Sequence, residues 1–185
     1  MSHYVEQVIT DAIDAFKLES KTYTGQYTVL FDADNTLYKF NNYSQIQDSL
    51  SNCFNPGFYK NLPVFPEAPD VINALIRMGV KCGIISALIN SPYCEPEKRK
   101  SFQYHFPMIN EDMIYLVPFN ESKVNLVQDI KHTILVDDYH VNINEWYNNG
   151  GVAIKKSYNS FKQRCLPTVH SLIELFPTLK ELGVF

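Results

Sequence analysis

The sequence is short of charge, of paired cysteines and of long apolar runs, and each shortage removes a class of function. Charged residues are 19% of the chain, and the net charge is −4. Such a chain does not steer nucleic acid polymers from a distance, so phosphate chemistry here needs local positive charge. The four cysteines (Cys53, Cys82, Cys94, Cys165) form no CxxC and no His/Cys set at zinc spacing, which excludes a zinc ribbon and predicts reduced thiols. No basic segment followed by an apolar run opens the sequence, so no signal peptide is expected. No apolar stretch approaches the roughly 18 residues of a membrane span. The expectation is a soluble cytoplasmic protein with neither a membrane nor a nucleic acid polymer as partner. The densest basic cluster, Lys98-Arg99-Lys100, reads as a solvated helix face. There is no internal repeat and no low-complexity tract.

What is present is a folded-domain composition, 45% hydrophobic with twelve Tyr and twelve Phe. The length suits one domain with a small insertion. Val5, Val8, Ile9, Ala12, Ile13 and Phe16 recur at helical steps, predicting a helix over about 3–18. Tyr27–Phe31 reads as a strand covered on both faces, ending in Asp32-Ala33-Asp34-Asn35-Thr36. Residues 38–65 show little strand character; Tyr43, Ile46, Leu50 and Cys53 share a helical face closed by Asn55-Pro56-Gly57. A helix follows from Pro66 to Gly79, with Pro69 in its first turn, then a strand over Val80–Ile85 ending at Ser86. A further helix runs to about His105, and Met113–Val117 is a third strand. Asn120 is the expected cap of a helix carrying Lys123, Val124, Val127 and Ile130. Thr133–Val136 is a fourth strand ending in Asp137-Asp138. A short helix around Trp146 stops at Gly150-Gly151, Val152–Ile154 is a fifth strand, and a last helix is expected over 168–176.

Strands alternating with helices imply a mainly parallel sheet covered on both faces, with ligands at the carboxyl ends of the strands. The polar groups fall there: Asp32 and Asp34, then Ser86, then Asp137 and Asp138. Two acids two residues apart on a loop leaving a buried strand repel each other unless a cation or a proton intervenes. A plain turn is the alternative for Asp34-Asn35-Thr36, helix capping for Asp137-Asp138, a solvated surface position for Lys123 and a turn for Ser86.

LFDADNTLY, Ser86 after GII, Lys123 and ILVDD, in that order over residues 28–138, resemble the four motifs of the haloacid-dehalogenase superfamily. The resemblance implies a three-layer α/β/α Rossmann-like core (residues 1–37 and 66–185) with a small, mostly helical cap inserted after the first strand (residues 38–65). It implies Asp32 as the nucleophile of a phosphoryl transfer and Asp34 as general acid and base. Ser86, Ala87 and Lys123 would bind phosphate. Mg²⁺ would be held by the Asp32 carboxylate, the Asp34 backbone carbonyl and an acid of the Asp137/Asp138 pair. Asp138 is favoured as the direct ligand, with Asp137 in a supporting place.

Pro56–Leu75, Tyr93–Phe102 and LVDDY followed by Trp and Gly-Gly are similar to the 5'(3')-deoxyribonucleotidases. That resemblance implies a small-molecule phosphomonoester substrate, specifically a nucleoside monophosphate, and allows a homodimer. The cap is shorter than that family's, and Asn90 stands where its phosphate-contacting Lys falls. Among the cap aromatics, Phe40 and Tyr43 lie just past the nucleophile loop and are the expected base contacts. A sugar phosphate or a polynucleotide end is the alternative substrate, and a catalytically idle binding module the alternative class.

Overall fold

The computed structural model describes residues 3–18, 27–40, 51–158 and 166–185. Six strands make one sheet: β1 (Thr28–Phe31), β2 (Lys81–Leu88), β3 (Ile114–Pro118), β4 (Thr133–Asp137), β5 (Val152–Lys156) and β6 (Thr168–Val169). Their spatial order is β3-β2-β1-β4-β5-β6, and every pairing is parallel. Among the described residues, the α-helices of seven residues or more are α1 (His3–Leu18), α2 (Ala68–Arg77), α3 (Cys94–His105), α4 (His140–Asn148) and α5 (Leu175–Glu181).

Side-chain alternation sorts the strands into two covered faces. Val29 and Phe31 of β1, Ile84 of β2 and Val136 of β4 join one buried cluster with Val71, Ile72 and Leu75 of α2, Phe102 of α3 and Leu179 of α5. Leu30, Ile85, Leu135 and Ala153 point the other way, onto Ile143 and Trp146 of α4. This is the expected three-layer α/β/α arrangement. Trp146 is anchored by its indole N–H, which donates to the Thr133 carbonyl at 3.1 Å. Gly151 must lack a side chain, because a Cβ there would lie 2.4 Å from the Trp146 ring. Gly79, with φ +91°, closes α2 in the left-handed region that favours glycine.

Some boundaries moved. β2 runs on to Leu88, so Ser86 lies inside the strand and is fully buried rather than at its end. Lys123 sits on a single 3-10 turn (Lys123–Leu126), not on a longer helix. Its cap is Ser122, whose hydroxyl accepts from the Val124 N–H at 3.2 Å. Asn120 instead takes φ +70° in the preceding turn, and Val127 in extended backbone stops the 3-10 turn. The expected helix over 168–176 is replaced by β6, a capping box from Ser171 to Glu174, and α5 beginning at Leu175. Pro177 falls in the first turn of α5, where its missing N–H costs nothing.

The described part of residues 38–65 is packed into the main cluster through Tyr38, Cys53, Phe58, Tyr59 and Leu62. Glu97 of α3 accepts hydrogen bonds from the backbone N–H groups of Gly57, Tyr59 and Lys60 at 2.6, 3.1 and 3.3 Å. Most of the expected helix over Tyr43–Cys53 lies outside the described residues. Cys53, Cys82 and Cys94 are buried and none is in a disulfide; Cys165 lies outside the described residues. Among the described residues, no helix is long and apolar enough to cross a membrane.

Candidate active site

β1 and β4 are neighbours at the centre of the sheet, and the chain leaves them in opposite directions: β1 is followed by β2 on one side, β4 by β5 on the other. A parallel sheet opens a crevice at such a reversal, beyond the carboxyl ends of its strands. Asp32 follows β1, and Asp137 ends β4. The Asp32 N–H donates to the Val136 carbonyl at 2.9 Å, so the ladder fixes the backbone up to the acids themselves.

Carboxylate oxygens of Asp32, Asp137 and Asp138 lie within 4.8 Å of one another. Lys123 reaches between two of them: its Nζ donates to Asp32 Oδ1 at 2.5 Å and to Asp137 Oδ2 at 2.7 Å. The Tyr139 N–H and the Asn142 side-chain amide also donate to Asp137, at 2.7 and 2.9 Å. Three protein donors therefore engage Asp137. The Asp138 carboxylate accepts from no donor among the described residues, while its backbone carbonyl accepts from Lys155.

Electrostatics follow from this crowding. Burial, with Asp137, Asp138 and Asp34 nearby, pushes the Asp32 carboxyl well above the ordinary range despite the opposing Lys123. Burial and the Asp137 charge push Asp138 up to about 7, against the pull of Lys155. Burial works against the Lys123 ammonium, but Asp137 and Asp32 more than offset it and hold Lys123 firmly charged. Three clustered acids, with Lys123 among them and Lys155 acting on Asp138, remain an excess of negative charge in the crevice. A hard divalent cation taking oxygen ligands balances that excess, and the donor set fits Mg²⁺.

Asp34 is held separately. Lys98 of α3 is 3% exposed and donates to Asp34 Oδ2 at 2.6 Å, Ser86 Oγ at 2.8 Å and the Ala87 carbonyl at 2.9 Å. This corrects the reading of Lys98-Arg99-Lys100 as a solvated face: the first of the three is buried and points at the acid. An ammonium has three donors, and all three of Lys98 are used, whereas Lys123 uses two and keeps one. The other Asp34 oxygen, Oδ1, is buried and has no hydrogen-bond partner. Asn35, at φ +62°, makes the tight turn of this loop, and Tyr158 donates to its carbonyl.

A cavity of about 290 Å³ lies over these groups. Asp32, Asp34, Ala87, Lys123, Asp137, Asp138 and Phe40 all line it, joined by Ile89, Phe119 and Asn142, which the sequence reading did not single out. Ser86 is not in its wall; it sits behind, under Lys98. Phe40 and Phe58 meet in a T-shaped contact, with ring centroids 5.6 Å apart. Tyr43 lies outside the described residues.

No protein-family model matches the chain, and no curated protein matches it by sequence. Solved structures do match its fold. A haloacid dehalogenase-like family hydrolase from Xanthomonas campestris superposes at TM-score 0.61 with 10% identity, covering 88% of this chain and 94% of that one. The D,D-heptose 1,7-bisphosphate phosphatase of B. bronchiseptica, complexed with magnesium and phosphate, gives 0.60 at 8% identity, covering 84% and 99%. A haloacid-dehalogenase family hydrolase from Deinococcus radiodurans R1, with bound phosphate and sodium, gives 0.57 at 12%, covering 87% and 98%. The chain therefore shares the Rossmann-like α/β fold of these hydrolases.

Proposed function

We propose that this chain is a magnesium-dependent phosphomonoester hydrolase working through an aspartyl-phosphate on Asp32. The observation that carries the proposal is the clustering of Asp32, Asp137 and Asp138, with Lys123 bridging the first two, at the point where the strand order reverses.

An Asp32 oxygen attacks phosphorus, the bond from phosphorus to the ester oxygen breaks, and Asp34 gives its proton to the departing alkoxide. Asp34 then takes a proton from water as that water attacks the phosphorus of the acyl phosphate. The Asp32–phosphorus bond breaks, inorganic phosphate leaves, and both acids return to their starting forms. Lys123 orients Asp32 through one donor, holds Asp137 through another, and has its third for a phosphoryl oxygen. Lys98 has none to spare, so its part is to position Asp34. Mg²⁺, bound through Asp32 and Asp138 with the Asp34 carbonyl, would neutralise the crowded acids and the phosphoryl oxygens. Asp138 suits direct ligation better than Asp137, because donors from the protein already engage Asp137.

Within this class, the reading takes a nucleoside monophosphate as substrate. The aromatic rings of Phe40 and Phe119 beside the acids support it, as does the likeness of Tyr93–Phe102 to the deoxyribonucleotidases. The test is a panel of phosphomonoesters with purified protein. Hydrolysis is expected with Mg²⁺, lost in EDTA and in Asp32→Asn, whose amide cannot form an acyl phosphate. Full activity in EDTA, or in Asp32→Asn, would refute the mechanism.

A further inference from the structure

The candidate acids stand on two loops, one leaving β1 and one leaving β4, and a single stretch of chain at the end of β5 is bonded to both. β5 lies against β4 with Lys155 in register with Asp137, and the Lys155 ammonium donates to the Asp138 carbonyl. Just past the strand, Tyr158 reaches beyond β4 to the loop after β1. There its hydroxyl donates to the carbonyl of Asn35, 123 residues away in the chain. Neither residue belongs to the acid cluster, and neither lines the cavity over it. Both grip the backbone that carries the acids.

Tyr158 is itself held in place. The Ser157 N–H donates to the Val169 carbonyl at 2.9 Å, which ties the approach to β6. The phenol ring stacks on Phe65, with centroids 5.7 Å apart and planes inclined by 28°. The Lys156 ammonium lies 4.6 Å from the centroid of the same ring. Lys156 is buried and anchored, donating to the His170 carbonyl at 2.7 Å. Even so, Tyr158 remains 54% exposed, and apolar burial stabilises only in proportion to the area removed from water. Packing alone is a weak reason for a tyrosine here; the hydroxyl carries the directed bond.

The carbonyl it engages belongs to a residue in an uncommon conformation. Asn35 takes φ +62°, a left-handed region that residues other than glycine seldom enter, asparagine more readily than most. The Asn35 N–H donates to the Tyr38 carbonyl at 2.7 Å. That N–H shares a planar peptide unit with the Asp34 carbonyl, so this bond aims the Asp34 carbonyl, and the bond from Tyr158 holds the plane that follows. With both planes held, Asn35 cannot turn toward the commoner backbone region without breaking a hydrogen bond. We propose that Tyr158 is a positioning residue for the nucleophile loop. With Lys155 it makes the end of β5 a clamp that sets the spacing between the Asp34 carbonyl and the Asp138 carboxylate, two of the oxygens assigned above to Mg²⁺. The inference rests on that assignment and adds to it residues outside the acid cluster.

The test is calorimetric titration of Mg²⁺ alone into wild type and Tyr158→Phe, with Tm in EDTA measured beside it. Phenylalanine keeps the ring, its stacking on Phe65 and its contact with Lys156, and removes only the hydroxyl, so the fold should survive. The Mg²⁺ Kd should rise about tenfold, the lower end of the range for losing a group that orients a metal ligand. The Mg²⁺ concentration needed for half-maximal phosphomonoester hydrolysis should rise by the same factor. Glycine enters the left-handed region freely, so in an Asn35→Gly background the added Tyr158→Phe change should weaken Mg²⁺ by a smaller factor. An unchanged Mg²⁺ affinity in Tyr158→Phe, whatever happens to Tm, overturns the inference and leaves the phosphomonoesterase reading standing. The same factor lost in both backgrounds refutes the role given to Asn35 and with it the clamp. A wild type that hydrolyses no phosphomonoester, while its Mg²⁺ affinity still falls in Tyr158→Phe, overturns the hydrolase reading and keeps the clamp. A wild type that binds no Mg²⁺ overturns both.

Discussion

Asp138→Asn should stabilise the metal-free protein at neutral pH. Burial and Asp137 hold the Asp138 proton up to about pH 7, whereas an ordinary aspartate releases it near 3.8. Between those values the folded state binds more protons than the unfolded one, so stability falls as pH rises through the window. Roughly three decades of proton affinity set an upper bound of about 4 kcal/mol. Residual exposure and the neighbouring charges reduce this to about 2 kcal/mol between pH 5 and pH 7.5. For a chain this long, that is about 4–8 °C in Tm. Thermal unfolding in EDTA from pH 5 to pH 8, of wild type and variant together, isolates Asp138 and its effect on neighbouring Asp32, because titrating groups farther away cancel in the difference. Asn has no proton to lose, so the gap should widen with pH in favour of the variant. Added Mg²⁺ should raise the wild-type Tm more at pH 8 than at pH 5, since ligation must displace the Asp138 proton, and should raise the variant much less. A difference flat in pH, or a variant less stable than wild type at pH 7.5 in EDTA, would refute the reasoning.

Lys123→Met should be costly in the opposite sense. It leaves Asp32 and Asp137 buried without their counter-charge, and losing one partner of a buried pair typically costs about 3–5 kcal/mol; urea denaturation should show this at pH 7.5 and a smaller loss at pH 5, where burial favours the protonated form of Asp32. Lys98→Met should release Asp34 from its fixed place. Turnover of nucleoside monophosphates should fall more than that of p-nitrophenyl phosphate, whose leaving group needs little protonation, within the 10²–10⁴-fold usual for general acid catalysis. Equal losses on both substrates would mean that Lys98 only supports the fold.

The acids were legible in the sequence because a parallel sheet delivers strand ends to one crevice, so position in the chain stands in for position in space. Asp32, Asp137 and Asp138 could be placed together from strand order alone. Lys98 could not. It is 64 residues from its partner Asp34, and Lys-Arg-Lys on a polar helix looks the same whether one member is buried or none. The one available sign was its place in the Tyr93–Phe102 segment, two residues after Pro96. Ile89 and Phe119 escaped for a similar reason: they lie just beyond β2 and β3, and only the pairing of those strands brings them to a common wall. The last helix begins at Leu175 rather than near 168, and Pro177 lies inside it. Ser171 followed three residues later by Glu174 already spelled a helix start, and proline is accepted in a first turn.

The stitching of the segment after β1 has a kinetic meaning. The Lys39 N–H donates to the Pro63 carbonyl at 2.8 Å and the Phe65 N–H to the Leu37 carbonyl at 2.9 Å, while Glu97 ties Gly57, Tyr59 and Lys60 to α3. Tyr38, buried in this segment, accepts from the Ser101 hydroxyl at 3.0 Å. A swinging cover would have to break these bonds and tear Tyr38, Phe58 and Tyr59 out of the main hydrophobic cluster at every turnover. The described roof is thus a fixed lintel. Past these described residues, the traffic of substrate and phosphate is set by the width and charge of the opening they frame rather than by the rhythm of a hinge in them.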